Sequence, residues 1–431
     1  MAVTPVEIDL SAETAALPQE TFTDVAVVGT AADAPPEGQF GEVNRYMSAA
    51  EVSADYGENS DVHVASQAIE EMGAGEWYVL VLEETEEVDE DVADGDTLAN
   101  APALGSAGVT AAARDVVYSS QDPPAQPGDG EVAVNMDTGT VTTDDGTNAT
   151  LTYSHVDWTQ LELLEPKGVN RAHLANRQAG LEHIGSYDEF TSWASGADVG
   201  VVLPIKDISS YSDDETGMNK AHEIAGYLPR ANTLGVAHKS SADVGGYVLG
   251  QLAINDPWFN PYFDGDGYPF DSGQIEERLI GDPGTAGTFV GGDDQNEGPV
   301  NVVISVSGVN LLWQSVTTAG SASNYQFFDV KMTEMFASSV VENALTSLRL
   351  REDRVPFTPE GRMMIASTIR GALGVYTGSQ DDPFSEVEVY VPKIEELSDS
   401  NKANRQWTGI TITGTLTGDA HTFDLELSVT V

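Results

Sequence analysis

Cysteine is absent from the 431-residue sequence, and long apolar runs are absent as well. Without cysteine, disulfide bonds, thiolate metal sites and cysteine nucleophiles are all excluded. No apolar stretch approaches the roughly 20 residues that a transmembrane helix needs. The first residues, MAVTPVEIDLSAE, lack the basic and apolar regions of a secretory signal. We therefore expect a protein that does not insert directly into a membrane.

Basic side chains are scarce. The chain has 19 Lys and Arg against 70 Asp and Glu, which gives a formal net charge of -51. Such a charge opposes binding to a phosphate backbone, so we exclude nucleic acid as a partner. Because 40% of the residues are hydrophobic, the acidity is expected to cover a folded protein. An acid-rich, lysine-poor surface suits near-saturated salt, where the screening length falls below about 3 Å. We interpret the composition as that of an extreme halophile or its virus.

Enzyme signatures are also missing, since GxxxxGK[ST], HExxH, GxSxG and GxGxxG do not occur. His222 and Glu223 lie on a predicted helix without the second histidine that zinc needs. Asp264 and Asp266 resemble the start of a calcium loop, but Ile275 occupies the twelfth position, where a bidentate Glu belongs. These aspartates are weak candidates for a cation site, and the alternative is a solvated acidic loop. We predict a protein that is not an enzyme and needs no cofactor.

Hydrophobic periodicity predicts alternating strands and helices. Buried strands are predicted at 24–29, 77–82, 198–205, 234–238 and 301–306, and helices at 48–57, 61–72, 218–228 and 242–253. Ser48 and Glu51 have the spacing of a capping box, and Gly57 and Gly73 are placed to end the first two helices. This order of elements predicts an α/β fold in which mixed sheets carry flanking helices.

A change in composition begins at Glu83. From there to about 130 the chain is rich in acids, Ala, Gly and Pro, which is typical of a linker. Turns at 137–139 and 144–146 then separate alternating runs and predict a β meander. Asn148 starts a glycosylation sequon with Thr150, a triplet that is common by chance.

We predict a multidomain chain with a small all-β insertion and terminal strand arms. Its parts are an N-terminal arm (1–22), the first part of an inner α/β domain (23–90), a linker with the β insertion as an outer domain (91–166), a middle α/β domain with an acidic surface loop (167–298) and a C-terminal domain with a closing hairpin and arm (299–431).

The stretch 327–373 predicts two long helices. An i+4 row from Met332 to Leu348 indicates the first helix. Pro356 then requires extended backbone before it. Thr358 as N-cap and Pro359 at the first helical position indicate the start of the second helix, which Gly374 is placed to end.

The same stretch has an unusual charge balance. Between 331 and 370, six basic residues stand against five acidic ones, a balance of +1 in a chain of net charge -51. Arg349, Arg351, Arg354 and Arg362 are concentrated around the Pro356 turn, so we expect them to meet an acidic partner. The alternative is that they only form internal ion pairs. Lys167, Arg171 and Arg177 form a second basic group, with no acid between 166 and 181.

Several stretches, taken together in order and spacing, resemble the contractile tail sheath family of tailed viruses and related injection machines. The N-terminal ones are DVAVVGTA, EVNRYMSAAEVSADYG and SDVHVASQAIEEMGAGEWYVLVLE, which resemble that family's opening strand, its two helices and its returning strand. The C-terminal ones are FFDVKMTEMFASSVVENALTSLRL, RVPFTPEGRMMIASTIRGAL and ANRQWTGITITGTLTGDAHTFDLELSVTV, which resemble its long helix, Pro-aromatic-Thr turn, following helix and closing hairpin.

This resemblance implies a structural subunit that polymerises as stacked rings around a tail tube and contracts to drive the tube through a cell envelope. The implied partners are further copies of the chain, the tail tube protein, and the baseplate and tail terminator proteins. The implied location is a virion tail assembled in the host cytoplasm, or a contractile injection particle. The alternative from another class is an acidic halophilic capsid or surface-lattice shell protein.

Both chain ends alternate like strands and, within this reading, are predicted to link subunits by strand addition. The apolar positions of the N-terminal arm are Val3, Val6, Ile8 and Leu10. Those of the C-terminal arm are Phe423, Leu425, Leu427, Val429 and Val431. The alternative is that both strands complete the sheet of their own subunit.

Overall fold

The computed structural model describes residues 5–8, 23–30, 40–104, 109–175, 183–205, 216–238, 242–261, 268–269, 299–306, 309–313, 315–320, 325–351, 355–379, 381–417 and 422–430. The chain divides into two compact units. One comprises Met1–Glu20 with Val330–Val431, and the other comprises Thr21–Asp329.

The unit Thr21–Asp329 contains strands and helices in alternation. Its strands are β2 (Val25–Thr30), β3 (Val43–Tyr46), β4 (Trp77–Leu82), β5 (Glu84–Val92), β6 (Ala103–Leu104), β7 (Thr110–Ala111), β8 (Asp115–Tyr118), β9 (Glu131–Val134), β10 (Val141–Thr143), β11 (Ala149–Val156), β12 (Arg171–Ala175), β13 (Gly200–Ile205), β14 (Thr233–Ala237), β15 (Asn301–Val306) and β16 (Val309–Trp313). Its helices are α1 (Ala49–Tyr56), α2 (Asp61–Glu71), a 3₁₀ helix (Trp158–Lys167), α3 (Ile184–Gly196), α4 (Thr216–Tyr227) and α5 (Val244–Ile254).

An eight-stranded sheet organises this unit, in the order β16-β15-β14-β13-β12-β2-β4-β3. The strands from β15 to β4 run parallel, and β16 and β3 are antiparallel edges. Parallel central strands are covered on both faces, which explains why β2 and β13 are continuous apolar runs with residues Val25 to Val28 fully buried. The predicted mixed α/β fold and the buried strands are confirmed.

The sheet joins segments that the sequence analysis placed in different domains. β2 and β12 pair in register from Val25 opposite Arg171 to Gly29 opposite Ala175, so 23–90 and 167–298 contribute to one sheet. The compact unit also continues past 299, to Asp329. Parallel strands find partners across inserted segments, and composition cannot reveal such pairing.

The helix termini follow the predicted capping chemistry. The Ser48 hydroxyl accepts a hydrogen bond from the Glu51 amide, and the Glu51 carboxylate accepts one from the Met47 amide at 3.0 Å. Gly57 follows α1 at a φ of 95°, a conformation that glycine adopts at little cost. Ser48 as N-cap and Gly57 as the residue that ends α1 are confirmed, whereas the Glu51 carboxylate binds the Met47 amide and not the Ser48 amide that a capping box requires.

A close approach between α2 and α5 depends on glycine. A Cβ on Gly246 would lie 2.7 Å from the Ala65 carbonyl oxygen, and one on Gly250 would lie 2.9 Å from the Ile69 Cα. A Cβ on Gly245 would overlap the His173 ring. The small residues of α5 therefore bring its first turn against both α2 and the sheet.

The small β unit, residues 84–156, contains two short sheets. One has the order β5-β11-β6, with β7 also pairing with β11, and the other has the order β10-β9-β8. The acid run that was expected to be linker is strand β5, so that expectation is wrong for 84–92. The expected meander is also wrong beyond β10, because β11 pairs with β5 and not with β10. Pairing with a strand some sixty positions away, as between Ala149 and Val92, outweighs the local composition.

Arg114 fastens the turn between β10 and β11. Its guanidinium donates to Asp144, to Asp145 at 2.8 Å and to the Thr147 hydroxyl at 2.8 Å. The Arg114 hydrogen bond is the main cause that lowers the pKa of Asp145 to about 2. Arg114 is the only Lys or Arg between Arg45 and Lys167, and its guanidinium stabilises this turn.

The unit formed by the two chain ends contains β1 (Pro5–Ile8), α6 (Phe328–Arg351), α7 (Pro359–Gly374), β17 (Phe384–Tyr390), a 3₁₀ turn (Ile394–Glu396), α8 (Asp399–Asn404), β18 (Gln406–Leu416) and β19 (Thr422–Thr430). Its core lies between the two long helices and the sheet, where Val341, Ile369 and Trp407 are buried together. Thr358 caps α7 through the Gly361 amide, with Pro359 at the first helical position, as predicted.

Candidate functional site

The two terminal strands meet in one four-stranded sheet, in the order β1-β19-β18-β17. β19 is antiparallel to β18, with Leu425 opposite Ile412 and Leu427 opposite Ile410. Ile410 and Ile412 are fully buried in the core of this unit. The predicted apolar positions of the C-terminal arm are therefore in register with core positions of β18.

β1 lies parallel to β19, with Val6 opposite Leu427 and Ile8 opposite Val429. A shift of one residue would place Glu7 opposite an apolar position, so the apolar pattern specifies the register. β1 covers only Pro5 to Ile8 of the arm, and Val3, Leu10 and Val431 lie outside the described residues.

Within this single chain the terminal strands thus pair with each other. β1 and β19 lie at opposite ends of the sequence, and the same complementarity exists between β1 of one copy and β19 of another. Pairing within the chain does not test exchange between copies, so the linking role of the arms stays a prediction.

The structure divides the predicted basic residues into two groups. Arg349 and Arg351 are exposed in the last turn of α6. A positive charge there also interacts favourably with the negative C-terminal end of the helix dipole. Arg362 is half-buried, and its Nε donates to the Val391 carbonyl at 2.6 Å. Arg354 lies outside the described residues. Arg349 and Arg351 are therefore the exposed members of the group among the described residues, and their contact with an acidic partner stays a prediction.

Arg362 belongs to a small polar group at the end of β17. The Tyr390 hydroxyl donates to the Glu396 carboxylate at 2.6 Å, and the Lys393 amide donates to the same oxygen at 2.6 Å. The Tyr390 hydrogen bond is the first cause of a lowered pKa at Glu396, and the Arg362 charge adds to it. Arg362 thus contributes to local order, which agrees with internal pairing at this position.

The structure buries Arg171, the central member of the second basic group. Arg171 is fully buried at the start of β12, where its guanidinium donates to the Leu252 carbonyl at 2.8 Å. Burial lowers the pKa of Arg171 to about 10. The guanidinium thus supplies a hydrogen-bond donor to a carbonyl in the last turn of α5, where the helix itself provides none. Lys167 ends the 3₁₀ helix, and Arg177 lies outside the described residues.

The weak cation candidates Asp264 and Asp266 lie outside the described residues. Within the part of the chain that the structure describes, no three His, Asp or Glu side chains are grouped as metal ligands would be. His222 is buried on α4, and Glu223 accepts a hydrogen bond from Ser120.

None of the described helices combines the length and apolar content that a bilayer crossing requires.

Sequence reasoning missed a buried ionisable pair beneath α5. His173 Nε2 lies 2.8 Å from Asp243 Oδ1, and both side chains are buried. Asp243 also caps α5 by accepting from the Gly246 amide at 2.6 Å. Burial alone would raise the pKa of Asp243, but the His173 charge and hydrogen bond lower it on balance. The only sequence signal was an aspartate directly before a small-residue helix.

Comparison with solved structures gives matches over the full length of the chain. The anti-feeding prophage (AFP) helical sheath in its contracted state matches with a TM-score of 0.55 and 10% identity, over 99% of this chain and 99% of that one. The AFP baseplate in its contracted state matches with a TM-score of 0.55 and 12% identity, over 96% and 95%. The six-fold symmetrised AFP baseplate matches with a TM-score of 0.52 and 12% identity, over 100% and 96%.

No protein-family model and no curated protein sequence matches the chain. The structural matches share the fold of this chain, and they are proteins of a contractile assembly. The resemblance seen in the sequence is therefore confirmed at the level of the fold.

Proposed function

We propose that the chain is the sheath subunit of a contractile tail or injection particle. In this role it polymerises as stacked rings around a tail tube and contracts to drive the tube through a cell envelope. Its partners are further copies of itself, the tube protein, and the baseplate and terminator proteins at the two ends. Such a subunit works by assembly and needs no catalytic site.

The observation that carries this proposal is the likeness over the whole length to a helical sheath, which spans 99% of both chains. The terminal sheet adds physical support. A short N-terminal strand, complementary in register to a C-terminal strand, is suited to joining neighbouring copies through backbone hydrogen bonds. The small β unit, inserted between β4 and β12, is suited to an outward position.

Negative-stain electron microscopy of the purified protein tests the proposal against the shell-protein alternative. Hollow cylinders of uniform width are expected, because a sheath subunit encloses a tube. Flat lattices or closed shells would contradict the proposal and favour a surface-lattice or capsid protein.

Assembly is expected to require high salt. Stacking copies of net charge -51 brings like charges together, and only strong screening makes that contact favourable. Dialysis to about 0.1 M salt, where the screening length is roughly 10 Å, should dissociate or loosen the polymer. Sedimentation measures the polymer fraction, and return to high salt is the control for irreversible unfolding. Polymer that stays intact after dialysis would refute this prediction.

Reversal of the exposed charges on α6 is expected to weaken assembly without unfolding the subunit. The double variant Arg349→Glu, Arg351→Glu places acids where an acidic tube or neighbour would be met, so polymer yield and tube co-sedimentation should fall. The matched control is Lys393→Glu, Lys402→Glu, which makes the same charge change elsewhere in the same unit. Equal loss in both variants, or unchanged tube binding in the first, would favour a purely internal role for these arginines.

A further inference from the structure

Acidic side chains line the place where the small β unit packs against α3 and α4. Asp122 and Asp137 come from the small β unit, and Asp188 and Glu189 come from α3. These four residues are named the acidic seam. The Tyr227 hydroxyl at the end of α4 donates to the Asp137 carboxylate, which joins the two sides directly.

The two sides of the seam are in close contact at Gly185. A Cβ on Gly185, in the first turn of α3, would lie 2.7 Å from the Met136 carbonyl oxygen and 2.8 Å from the Asp137 Cα. The turn that carries Asp137 is therefore pressed against the helix that carries Asp188 and Glu189. Carboxylates at such a contact lose part of their hydration.

Charge at the seam is not balanced. Arg230, three residues after the end of α4, donates to Asp188 at 2.9 Å and to the Ser192 hydroxyl at 2.7 Å. Four carboxylates against one guanidinium leave a net charge of -3 when all are ionised (-4 + 1). Asp122 accepts from the Thr140 hydroxyl at 2.6 Å, and Glu223 on α4 accepts from Ser120. Neither of these contacts adds a positive charge.

Burial raises the pKa of Asp137, and the charges of Asp188 and Asp122 raise it further, against the opposing Tyr227 hydrogen bond and Arg230 charge. Burial also raises the pKa of Glu189, with the charges of Asp188 and Asp137 adding to the effect. Burial and the hydrogen bond to Asp137 raise the pKa of Tyr227, so the phenol stays a donor.

We propose that the acidic seam is a proton-dependent contact, which holds the small β unit more tightly against α3 and α4 as the solution becomes mildly acidic. The packed state binds more protons than the separated state, because the pKa values of Asp137 and Glu189 lie above their ordinary values. Packing therefore strengthens as the pH falls through the raised pKa values towards the ordinary value near 4, and it gains nothing further below that. At neutral and higher pH the ionised seam weakens the contact.

Hydrogen exchange tests this directly, with high salt kept constant. The reporters are the Asn135 and Gly139 amides, which bond to Thr140 and Asn135 carbonyls within the turn that carries Asp137. After correction for intrinsic exchange rates, their protection relative to the amides of β2 should rise from pH 7.5 to pH 4.5. The rise should reach up to about tenfold per pH unit for each proton taken up.

Asp137→Asn supplies the decisive comparison, because asparagine keeps an oxygen for Tyr227 but carries no charge. This variant should already be more protected at pH 7.5 and should show a smaller rise than the wild type. Glu189→Gln tests the other side of the seam if Asp137→Asn does not fold. The matched control is Asp129→Asn, which removes one exposed charge from the same unit and should follow the wild type. An equal rise in the wild type, Asp137→Asn and Glu189→Gln, or no rise in the wild type, would overturn the proposal.

Discussion

A chain that lacks residues 1–12 is expected to stay folded and to form no cylinders. The deletion removes β1, which contributes only Pro5 to Ile8 to the sheet, while α6, α7 and the hairpin of β18 and β19 keep their core. If β1 links copies, its loss leaves the edge of β19 open in every subunit, and the polymer loses a backbone connection at each position. Circular dichroism measures the fold, and electron microscopy measures cylinder number and length.

A matched pair of full-length variants separates loss of the strand from loss of the chain end. Val6→Asp with Ile8→Asp places charge at the register positions opposite Leu427 and Val429, whereas Glu7→Gln changes the position opposite Ser428. The first variant should assemble as poorly as the deletion, and the second should assemble normally. If the truncated protein is folded and still builds full-length cylinders, the N-terminal arm is not a link between subunits.

Replacement of Asp243 by alanine is expected to lower the free energy of unfolding by about 3–5 kcal/mol, the usual cost of breaking a buried charge pair. The variant leaves His173 without the partner 2.8 Å away and leaves the Gly246 amide without its cap. Urea unfolding at high salt measures the change. Ser60→Ala is the control, because it removes the corresponding cap of α2 and a hydrogen bond to the Gly57 carbonyl but no ionisable group, and it should cost about 1 kcal/mol. Equal losses in the two variants would show that the pair adds nothing beyond capping.

The contribution of Asp243 should also depend on pH in one direction. Its folded pKa lies below the ordinary value, so its stabilising effect is present above the ordinary value and is lost as the pH falls through the folded pKa. The difference between wild type and Asp243→Ala should therefore narrow below about pH 4. A difference that grows on acidification would contradict a lowered pKa at Asp243.

Local chemistry predicted much of the fold. Thr358 and Pro359 indicate the start of α7 without reference to any other part of the chain, and the continuous apolar run of β2 indicates a strand covered on both faces. The order of these elements was also sufficient for the family resemblance. Such signals lie within a few residues of the element that they specify, so a single sequence contains them.

Pairing between distant residues explains what the sequence did not predict. The acidic composition of β5 is typical of a linker. Only its pairing with β11, which begins at Ala149, shows that it is a strand. Arg171 was grouped with other basic residues, yet its partner is the Leu252 carbonyl. His173 and Asp243 are 70 positions apart. In each case the deciding partner is remote in the sequence, and composition gives no information about it.

Arg114 gives the small β unit a built-in reporter of its own unfolding. Trypsin cleaves after Lys or Arg, and between Arg45 and Lys167 it has this one target. In the folded protein the Arg114 guanidinium is bound by Asp144, Asp145 and Thr147, so the side chain is not available to the specificity pocket of the protease. Cleavage after Arg114 requires that this turn opens first. The rate of that single cut therefore follows the opening of this turn of the small β unit, without any label or added cysteine.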